Sequence, residues 1–538
     1  MAAKPFFVLL ALLMAGVLAA AETVPASSPS ALRALRRGNG PEPSTLDAHR
    51  AQDLASHNVL RDLYEGLVSE DARGQLLAGM AERWEISADG RRYAFHLRRN
   101  LRWSNGEPLL AAEIVASFQR ALSPATAAPL APMLAVIVGA RELAAGTGTV
   151  ADLAIRASDP HTLLIDLVEP APLLQLLLLP IAYPVYLPAL ARYGSRHTRP
   201  GNLVSNGAYQ LLDWQPHALI RLQKNAHFHA AAAVAIADVR YLVTEDAASE
   251  QQRFRANDLD LTETVPPARR DRLQARFGAQ LRISPYLGSF FLGLNLRAAV
   301  LGRAPALREA LSLAIDREIL TRYITALGET PAYALVPPGM ADYPAPKMAS
   351  AAWSQAARET RARQLYAAAG YRAEAPLTIE IRYNTSTPHR RLALAVAAMW
   401  RQVLGAKVVL RNEEWKSFVL HRREGRITQV FRGGWIADVE DPLSFLALFD
   451  GDQALNWSGW HDPVYRQWLA QARQADGGER QRLLAGAEQR LLDQHVIVPI
   501  YFYTSKHLVR TDVLGFEANP LDRHGSRWLH FAAPAGAR

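Results

Sequence analysis

The sequence predicts an α/β protein with several domains. Segments with the alternating pattern of β-strands, such as 91–98, precede segments with helical spacing, such as 110–122. Strands at 377–384 and 407–415 flank a helix at 389–404, a single long helix is predicted over 306–327, and a further strand over 496–504. Because 538 residues exceed the size of one hydrophobic core, two or three domains are expected.

The composition is that of an ordinary globular protein. Hydrophobic residues make up 49% and charged residues 21% of the chain. The net charge of +9 comes from 60 basic and 51 acidic residues, and the arginines are scattered rather than clustered. Scattered basic residues are typical of a solvated surface, so nucleic acid is not expected as a partner.

The N-terminal residues predict export. Lys4 precedes the apolar run 5–21, and Ala19 and Ala21 satisfy the small-x-small cleavage rule. This pattern indicates a signal peptide, residues 1–21, cleaved near Ala21; a membrane anchor is the alternative, although the run is short for a span. The absence of cysteine excludes lipid attachment at an N-terminal cysteine. An exported protein without disulfides favours the bacterial periplasm.

Familiar catalytic and cofactor motifs are absent from the sequence. It contains no G-x-S-x-G, H-E-x-x-H, P-loop or G-x-G-x-x-G pattern, and cysteine-based zinc sites are impossible. His227 and His229 could offer two metal ligands, but their pattern is more typical of a surface strand. We therefore expect no enzyme activity, no metal and no cofactor, although catalytic residues can lie far apart in a sequence.

The segment 431–445, FRGGWIADVEDPLSF, places Asp438 in apolar surroundings. A buried carboxylate is costly unless a cation meets it. That cation is either Arg432, another basic residue of the chain, or a group from outside. Gly433 and Gly434 precede Trp435, and such glycines either form a bulge or let another backbone approach closely.

Several segments together resemble the periplasmic oligopeptide-binding proteins of ATP-driven peptide importers, which form solute-binding protein family 5. They occur in the family's order and cover nearly all of the chain after residue 21. The matching segments are EPSTLDAH, NVLRDLYEGL, MAERWEISADGRRYAFHLRRNLRWSNGEP, VSNGAYQLLDW, PALREALSLAIDREIL, YNTSTPHRRLA, NEEWKSF, GGWIADVEDPLSFL and VPIYFYT.

The resemblance implies a periplasmic-binding-protein-like clamshell of three domains, in which two lobes close about a hinge over an extended peptide. It also implies a monomer without cofactors that delivers short peptides to an inner-membrane ABC permease with cytoplasmic ATPases. The implied boundaries are 22–78, 186–286 and 505–538 for domain I, 79–185 for domain II and 287–504 for domain III.

The resemblance also assigns roles to the backbone and to one carboxylate. Asp438 would bind the α-ammonium of the peptide; an internal ion pair with an arginine is the alternative. The run Gly433, Gly434 and Trp435 would pair with the peptide main chain. Glu65, Gly66 and Leu67 would pair from the other side, with the Glu65 carboxylate holding basic or polar groups of the ligand.

The carboxylate end of the peptide would meet cations at graded distances. By the resemblance, Arg432 serves shorter ligands, and Arg422 and His389 serve longer ones. Each arginine taken alone is also typical of a surface, and His389 could cap the helix that follows it. We expect His389 to be partly protonated near neutral pH.

Four further residues match positions that line the family's cleft, with core packing as the alternative for each: Trp415, Tyr503, Tyr286 and Asn384. Gly288 and Ile436 stand where well-studied relatives carry a cysteine pair. The function is open at this point. The alternatives to an oligopeptide receptor are a murein tripeptide or dipeptide receptor, an envelope peptidase and a chaperone-like binder.

Overall fold

The computed structural model describes residues 33–340, 342–451 and 455–533. The predicted signal peptide lies outside these residues. None of the helices in the described part combines the length and the apolar character that a membrane span requires.

Helices and strands alternate along the described chain, as the sequence predicts. The α-helices are α1 (Leu54–Leu63), α2 (Ala111–Leu122), α3 (Ala140–Ala145), α4 (Leu173–Leu176), α5 (Leu187–Tyr193), α6 (Ala247–Arg255), α7 (Arg270–Phe277), α8 (Ala299–Gly302), α9 (Pro305–Leu313), α10 (Arg317–Ile319), α11 (Gln355–Ala368), α12 (Thr387–Leu404), α13 (Trp415–Arg423), α14 (Leu443–Leu446), α15 (Pro463–Gln474) and α16 (Gly477–Asp493).

The strands are β1 (Leu35–Gly38), β2 (Val68–Glu70), β3 (Leu76–Ala78), β4 (Ala81–Ile86), β5 (Arg92–Leu97), β6 (Ile155–Asp159), β7 (Thr162–Asp166), β8 (Tyr209–Gln215), β9 (Leu219–Lys224), β10 (Asp238–Leu242), β11 (Leu281–Leu294), β12 (Thr330–Pro331), β13 (Thr378–Asn384), β14 (Lys407–Glu413), β15 (Val430–Ile436), β16 (Ile497–Leu508), β17 (Val513–Leu514) and β18 (His530–Phe531).

Three larger sheets organise the chain. A six-stranded sheet has the order β12-β16-β11-β15-β13-β14, and two four-stranded sheets have the orders β1-β10-β9-β8 and β4-β5-β7-β6. The sheet of β4 to β7 packs its apolar face into a core that draws on residues 67–189. The sheet of β1 and β8 to β10 shares a core with α1 and with the C-terminal segment. The boundaries of the three predicted domains stay a prediction.

The long strands β11 and β16 connect two further cores. At one end, Leu281 and Leu508 pair and pack with Phe254. At the other end, Phe290 and Ile500 belong to a core that includes α9 and α12. The ladder between the two strands shifts register between Pro285 and Ser289, so its hydrogen bonding is interrupted where the chain passes from one core to the next.

The single long helix predicted over 306–327 is wrong. The structure divides it into α9, α10 and a π-helical segment Leu320–Thr325. Asp316 has extended backbone and its carboxylate accepts a hydrogen bond from the Ile319 N–H, so it caps a new helix in the middle of the segment. The buried guanidinium of Arg317 donates to the Ser312 carbonyl at 3.1 Å and to the Pro499 carbonyl at 2.7 Å. A local cap and a buried arginine therefore override the helical spacing.

We predict that Trp400→Ala lowers the free energy of unfolding by about 3–5 kcal/mol. Trp400 is fully buried in α12, and its indole N–H donates to the Leu311 carbonyl at 2.9 Å. Urea unfolding followed by circular dichroism measures the loss. Trp353→Ala is the control, because that side chain is 39% exposed, and it should change the midpoint little. Equal losses in the two variants would contradict the packing role.

Candidate functional site

β15 has an edge that is only partly used by the sheet. It pairs with β11 along its whole length, from Val430 opposite Leu294 to Ile436 opposite Gly288. On its other side, β13 pairs with β15 only at Val430 and Phe431. Among the described strands, none covers that side from Arg432 onward. Such an edge can accept a further strand from outside the molecule.

Gly433 and Gly434 are explained by their neighbours in the sheet. A β-carbon at Gly433 would lie 2.3 Å from the Phe291 ring, and one at Gly434 would lie 2.9 Å from the Tyr503 hydroxyl. The ladder between β15 and β11 has no register shift here, so a bulge at the two glycines is wrong. The glycines let β15 lie flat against aromatic side chains of β11 and β16.

Asp438 follows β15 by two residues and its side chain is solvent-accessible. Among the described residues, no side chain forms a hydrogen bond or an ion pair with its carboxylate. The surrounding protein raises the pKa of Asp438 by desolvation, and the charge of Arg523 opposes this effect. The internal pair with Arg432 is not formed, so the carboxylate is open to a cation from outside.

Arg432 contacts aromatic groups and no described carboxylate. One of its Nη atoms donates to the Tyr503 hydroxyl at 3.4 Å, and its guanidinium lies 5.5 Å from the centre of the Phe290 ring. Its Nε is buried without a hydrogen-bond partner. The aromatic faces stabilise the charge, while donor capacity remains for an anion.

Arg422 is more deeply buried than Arg432, and its guanidinium likewise lacks hydrogen-bond acceptors among the described residues. Its guanidinium lies 3.5 Å from the Trp457 ring centre and 5.3 Å from that of Phe418. Nε and one Nη have no hydrogen-bond partner. Burial and the charge of Arg432 lower the pKa of Arg422 to about 9, so the group is still protonated at neutral pH. The surface interpretation of Arg422 is therefore wrong.

His389 lies near Phe290 and within reach of the Arg432 charge. Its ring centre is 5.9 Å from that of Phe290, and its Nδ1 is buried without a partner. Burial and the charge of Arg432 lower the pKa of His389 to about 4. The expected partial protonation near neutral pH is therefore wrong for the ligand-free protein, in which the ring is neutral.

Buried polar atoms without a partner are concentrated around β15. Native proteins contain few such atoms, and each calls for an explanation such as an absent ligand or water. Those at this site are Ser289 Oγ, Asn384 Oδ1, His389 Nδ1, Arg422 Nε and Nη1, Arg432 Nε and Trp435 Nε1.

The predicted second pairing segment is largely occupied by the protein itself. The buried Glu65 carboxylate accepts from Arg527 at 2.7 Å and lies 2.6 Å from His229 Nε2, and these contacts lower its pKa against the effect of burial. The carbonyls of Gly66 and Leu67 accept from the chain at the start of β4. Glu65 is thus part of an internal ion pair, and the surface interpretation of His229 is wrong.

The four predicted lining residues occupy different environments. Trp415 begins α13 and is 49% exposed, so core packing is wrong for it. Tyr503 lies in β16 with its hydroxyl at Arg432. Asn384 ends β13 and is buried. Tyr286 falls in the register interruption between β11 and β16. Burial raises the pKa of its hydroxyl; the charge of Asp522 adds to this effect and that of Arg523 opposes it.

Arg523 is a residue that the sequence did not point to. One of its Nη atoms donates to the Asp438 carbonyl at 2.6 Å, and the other lies 3.3 Å from the Glu70 carboxylate. It thereby connects the loop after β15 to β2. Arg523 and Asp438 are 85 residues apart, and no local pattern announces the contact.

Val439 anchors the same loop from the other side. It is 5% exposed and packs in the core that otherwise draws on residues 67–189. Asp441, two residues later, pairs with Arg480 at 2.7 Å. Ala437, one residue before Asp438, is buried in a second core that includes Phe291 and Trp457, so the loop contacts both cores.

Residues 75–457 match the model of the bacterial extracellular solute-binding proteins, family 5 Middle. The chain belongs to this family. It is similar to the periplasmic oligopeptide-binding protein OppA of Escherichia coli (strain K12), with 35% identity over 528 residues that cover 97% of each chain. It is also similar to the probable deoxycholate-binding periplasmic protein YgiS of the same organism, with 34% identity and 98% of each chain covered. The predicted resemblance is confirmed.

Among solved structures, the unliganded open form of the periplasmic murein tripeptide binding protein MppA matches with a TM-score of 0.82 and 33% identity. The match covers 93% of this chain and 98% of that one. This agreement confirms the predicted α/β, two-lobe periplasmic-binding-protein-like fold. OppA, YgiS and MppA are each named as binding proteins.

We predict that His389 titrates near pH 4 in the ligand-free protein, well below the ordinary value of 6.5. Between these values the unfolded chain binds a proton at this position and the folded protein does not. The contribution of His389 to stability is therefore complete above pH 6.5 and is lost as the pH falls towards 4.

Nuclear magnetic resonance of the histidine rings measures this titration, and the resonance missing from His389→Gln assigns it. Unfolding of the same two proteins in urea at several pH values gives the stability difference. A His389 midpoint near 6.5 would contradict the burial of the ring beside Phe290 and the effect of the Arg432 charge.

Proposed function

We propose that the protein captures short peptides with free ends between its lobes and delivers them to an inner-membrane ABC permease with cytoplasmic ATPases. One observation carries this proposal. In the described chain, a free strand edge has an unpaired cation near one end and an unpaired carboxylate near the other. Arg432 stands at the beginning of that edge, and Asp438 follows its end by two residues. Every short peptide offers an ammonium, a carboxylate and a main chain between them.

The main chain of the ligand supplies affinity without sequence selection. An extended peptide laid along Arg432–Ile436 would hydrogen-bond to the edge that β13 leaves uncovered. With its amino end at Asp438 and its carboxylate towards Arg432, the peptide runs antiparallel to β15. Residues in a strand advance about 3.3 Å each, so ligands of different length place their carboxylates nearer to Arg432 or to Arg422 and His389.

The carboxylate of Asp438 favours a peptide over an anionic ligand without an ammonium group. The relative YgiS is named as a probable deoxycholate-binding protein. A steroid acid could pair with Arg432 and Arg422, but it has no cation for Asp438. A charge-assisted bond at Asp438 would contribute only to a ligand with a positive end.

A murein tripeptide is the second candidate, because the fold matches that of a protein named for this ligand. Both ligand classes carry charged groups and a short backbone. Isothermal titration of one preparation with free tripeptides and with murein tripeptide ranks them directly. Tighter binding of murein tripeptide would change the ligand named above and leave the charge arrangement in place.

We further propose that the protein is exported through its N-terminal signal peptide, works as a periplasmic monomer and has no catalytic activity. The names of its relatives as periplasmic binding proteins support the location and the role. Incubation with tripeptides followed by mass spectrometry tests the last point. Turnover of the peptide would identify an envelope peptidase.

We predict that Asp438→Asn weakens binding of a free tripeptide by about 2–5 kcal/mol, because the α-ammonium would lose its only charged partner. N-acetylation of the peptide should weaken binding to the wild type by a similar amount. The acetylated peptide should bind the wild type and Asp438→Asn equally. Isothermal titration of the four combinations gives the coupling between carboxylate and ammonium.

Asp493→Asn is the matched control, since Asp493 is exposed in α16 and hydrogen-bonds only to Gln489 among the described residues. It should bind the free tripeptide as the wild type does. If the wild type bound free and acetylated peptides with equal affinity, Asp438 would not be the ammonium site.

We predict a parallel result at the carboxylate end. The double variant Arg422→Gln/Arg432→Gln should lose the preference for a free peptide over its C-terminal amide. The wild type should favour the free acid by about 2–5 kcal/mol, because both guanidiniums lack a described carboxylate partner. Arg423→Gln is the control, since Arg423 is the exposed neighbour of Arg422 in α13. Equal affinity of the wild type for acid and amide would refute the assignment.

A further inference from the structure

Two histidines and an aspartate converge away from the peptide-binding edge. His507 lies near the end of β16, and Asp522 and His524 lie in the C-terminal segment. The Nε2 atoms of His507 and His524 lie 2.8 Å and 2.9 Å from the same oxygen, Asp522 Oδ1. One ligating atom from each residue falls within 4.8 Å of the other two.

The orientation of His507 is set by the backbone. Its Nδ1 lies 3.0 Å from the Thr262 carbonyl oxygen, which can only accept a hydrogen bond. Nδ1 therefore carries a proton, and Nε2 is the atom available for a ligand bond. A histidine whose second nitrogen donates to a carbonyl is the usual arrangement at metal centres, because it fixes the tautomer and the ring orientation.

The surroundings of the three residues are closed and rich in carboxylates. The side chains of His507 and His524 are 5% and 6% exposed, and the His524 ring stacks on Phe516 at 4.0 Å between centres. Glu263, the residue after Thr262, lies against Glu250, whose Oε1 accepts from the Glu263 N–H at 2.8 Å. In the described chain, neither of these carboxylates forms an ion pair. Burial raises the pKa of Glu250 and of Glu263 to about 7. Arg37 donates to the His524 carbonyl at 2.7 Å, so Asp522 is the anionic group of the cluster itself.

The backbone of the C-terminal segment is arranged for this convergence. Asp522 has a φ of +55°, in the left-handed region that is uncommon outside glycine. Asp522 and His524 direct their side chains to His507, whereas Arg523 between them reaches Glu70 and Asp438. Such local strain is found where the side chains serve a specific contact.

We propose that His507, Asp522 and His524 form a binding site for a divalent transition-metal cation of the Zn²⁺, Co²⁺ or Ni²⁺ class, with water in the fourth position. Imidazole nitrogens suit these ions, whereas Mg²⁺ and Ca²⁺ prefer sites made of oxygen ligands. On binding, the proton on His507 Nε2 leaves to solvent, and that on His524 Nε2 moves to Nδ1 of the same ring. The cation then replaces these protons as the group that Asp522 Oδ1 contacts.

The site would connect two parts of the chain, β16 and the C-terminal segment. His507 belongs to the strand that passes from one core to the other, and Asp522 and His524 flank the arginine that holds the Asp438 loop. A bound cation would fasten the segment around Arg523 to β16. None of the site's three side chains belongs to the edge of β15, so a test of the site needs no peptide ligand.

The test uses the full chain, free of any polyhistidine tag and treated with EDTA before dialysis. Zn²⁺ is titrated by calorimetry, and Co²⁺ by its visible absorption, whose intensity reports a tetrahedral site. We expect one ion per chain. His507→Gln and His524→Gln should each weaken binding by at least about 100-fold, as loss of a ligand exceeds the effect of an outer contact. His530→Gln should bind as the wild type does, because His530 is exposed and outside the cluster.

Circular dichroism shows whether each variant is folded. If His507→Gln does not fold, Asp522→Asn and His524→Gln carry the test, since they leave the strand unchanged. The proposal is overturned if the wild type binds no Zn²⁺ at about 0.1 mM, which detects even weak sites. It is equally overturned if the folded cluster variants and His530→Gln bind with the same affinity. No peptide is present in these titrations, so the result does not depend on the proposed transport role.

Discussion

The separation of Asp438 from Arg432 is the constraint on which the rest of the site depends. The two residues are close in sequence and opposite in charge, so a short internal ion pair would be the expected outcome in a flexible loop. The sheet prevents it, because β15 directs Arg432 towards Tyr503 and Phe290 while the chain carries Asp438 past the end of the strand. Neither charge is then neutralised by a described side chain, and desolvation raises the pKa of Asp438, which is unfavourable for the ligand-free protein.

Aromatic side chains stabilise the two arginines that have no described carboxylate partner. Trp457 lies under the guanidinium of Arg422, and Phe290 lies beside Arg432. Ring faces stabilise a cation without offering it a hydrogen-bond acceptor, so the charges are held and their donors stay free. Gly433 and Gly434 have no side chains, so Phe291 and Tyr503 can pack directly on the backbone of β15. The site is therefore built from the sheet outward and does not rely on a mobile loop for its cations.

Local patterns in the sequence predicted much of the fold and part of the site. The strand–helix–strand unit of β13, α12 and β14 follows directly from periodicity. Asp438 was identifiable because a carboxylate in apolar surroundings needs a partner. The break at Asp316 was missed, because a helix cap inside an otherwise helical pattern depends on where the Arg317 side chain is buried.

Contacts between distant residues were beyond the reach of the same reasoning. Glu65 was expected to face a ligand, but His229 and Arg527 come from remote segments to meet it. The role of Arg523 at the Asp438 loop depends on the three-dimensional placement of the C-terminal segment. The protonation of His389 likewise depends on burial and on Arg432, which a sequence pattern does not report.

The burial of Val439 restricts how the loop after β15 can move. Its side chain is seated in the hydrophobic core of the neighbouring lobe, one residue beyond the carboxylate proposed to hold the amino end of a guest. If the two lobes separate, either Val439 becomes exposed to water or the loop moves together with the neighbouring core. Opening of the lobes would therefore couple the exposure of one apolar side chain to a displacement of the loop that carries Asp438.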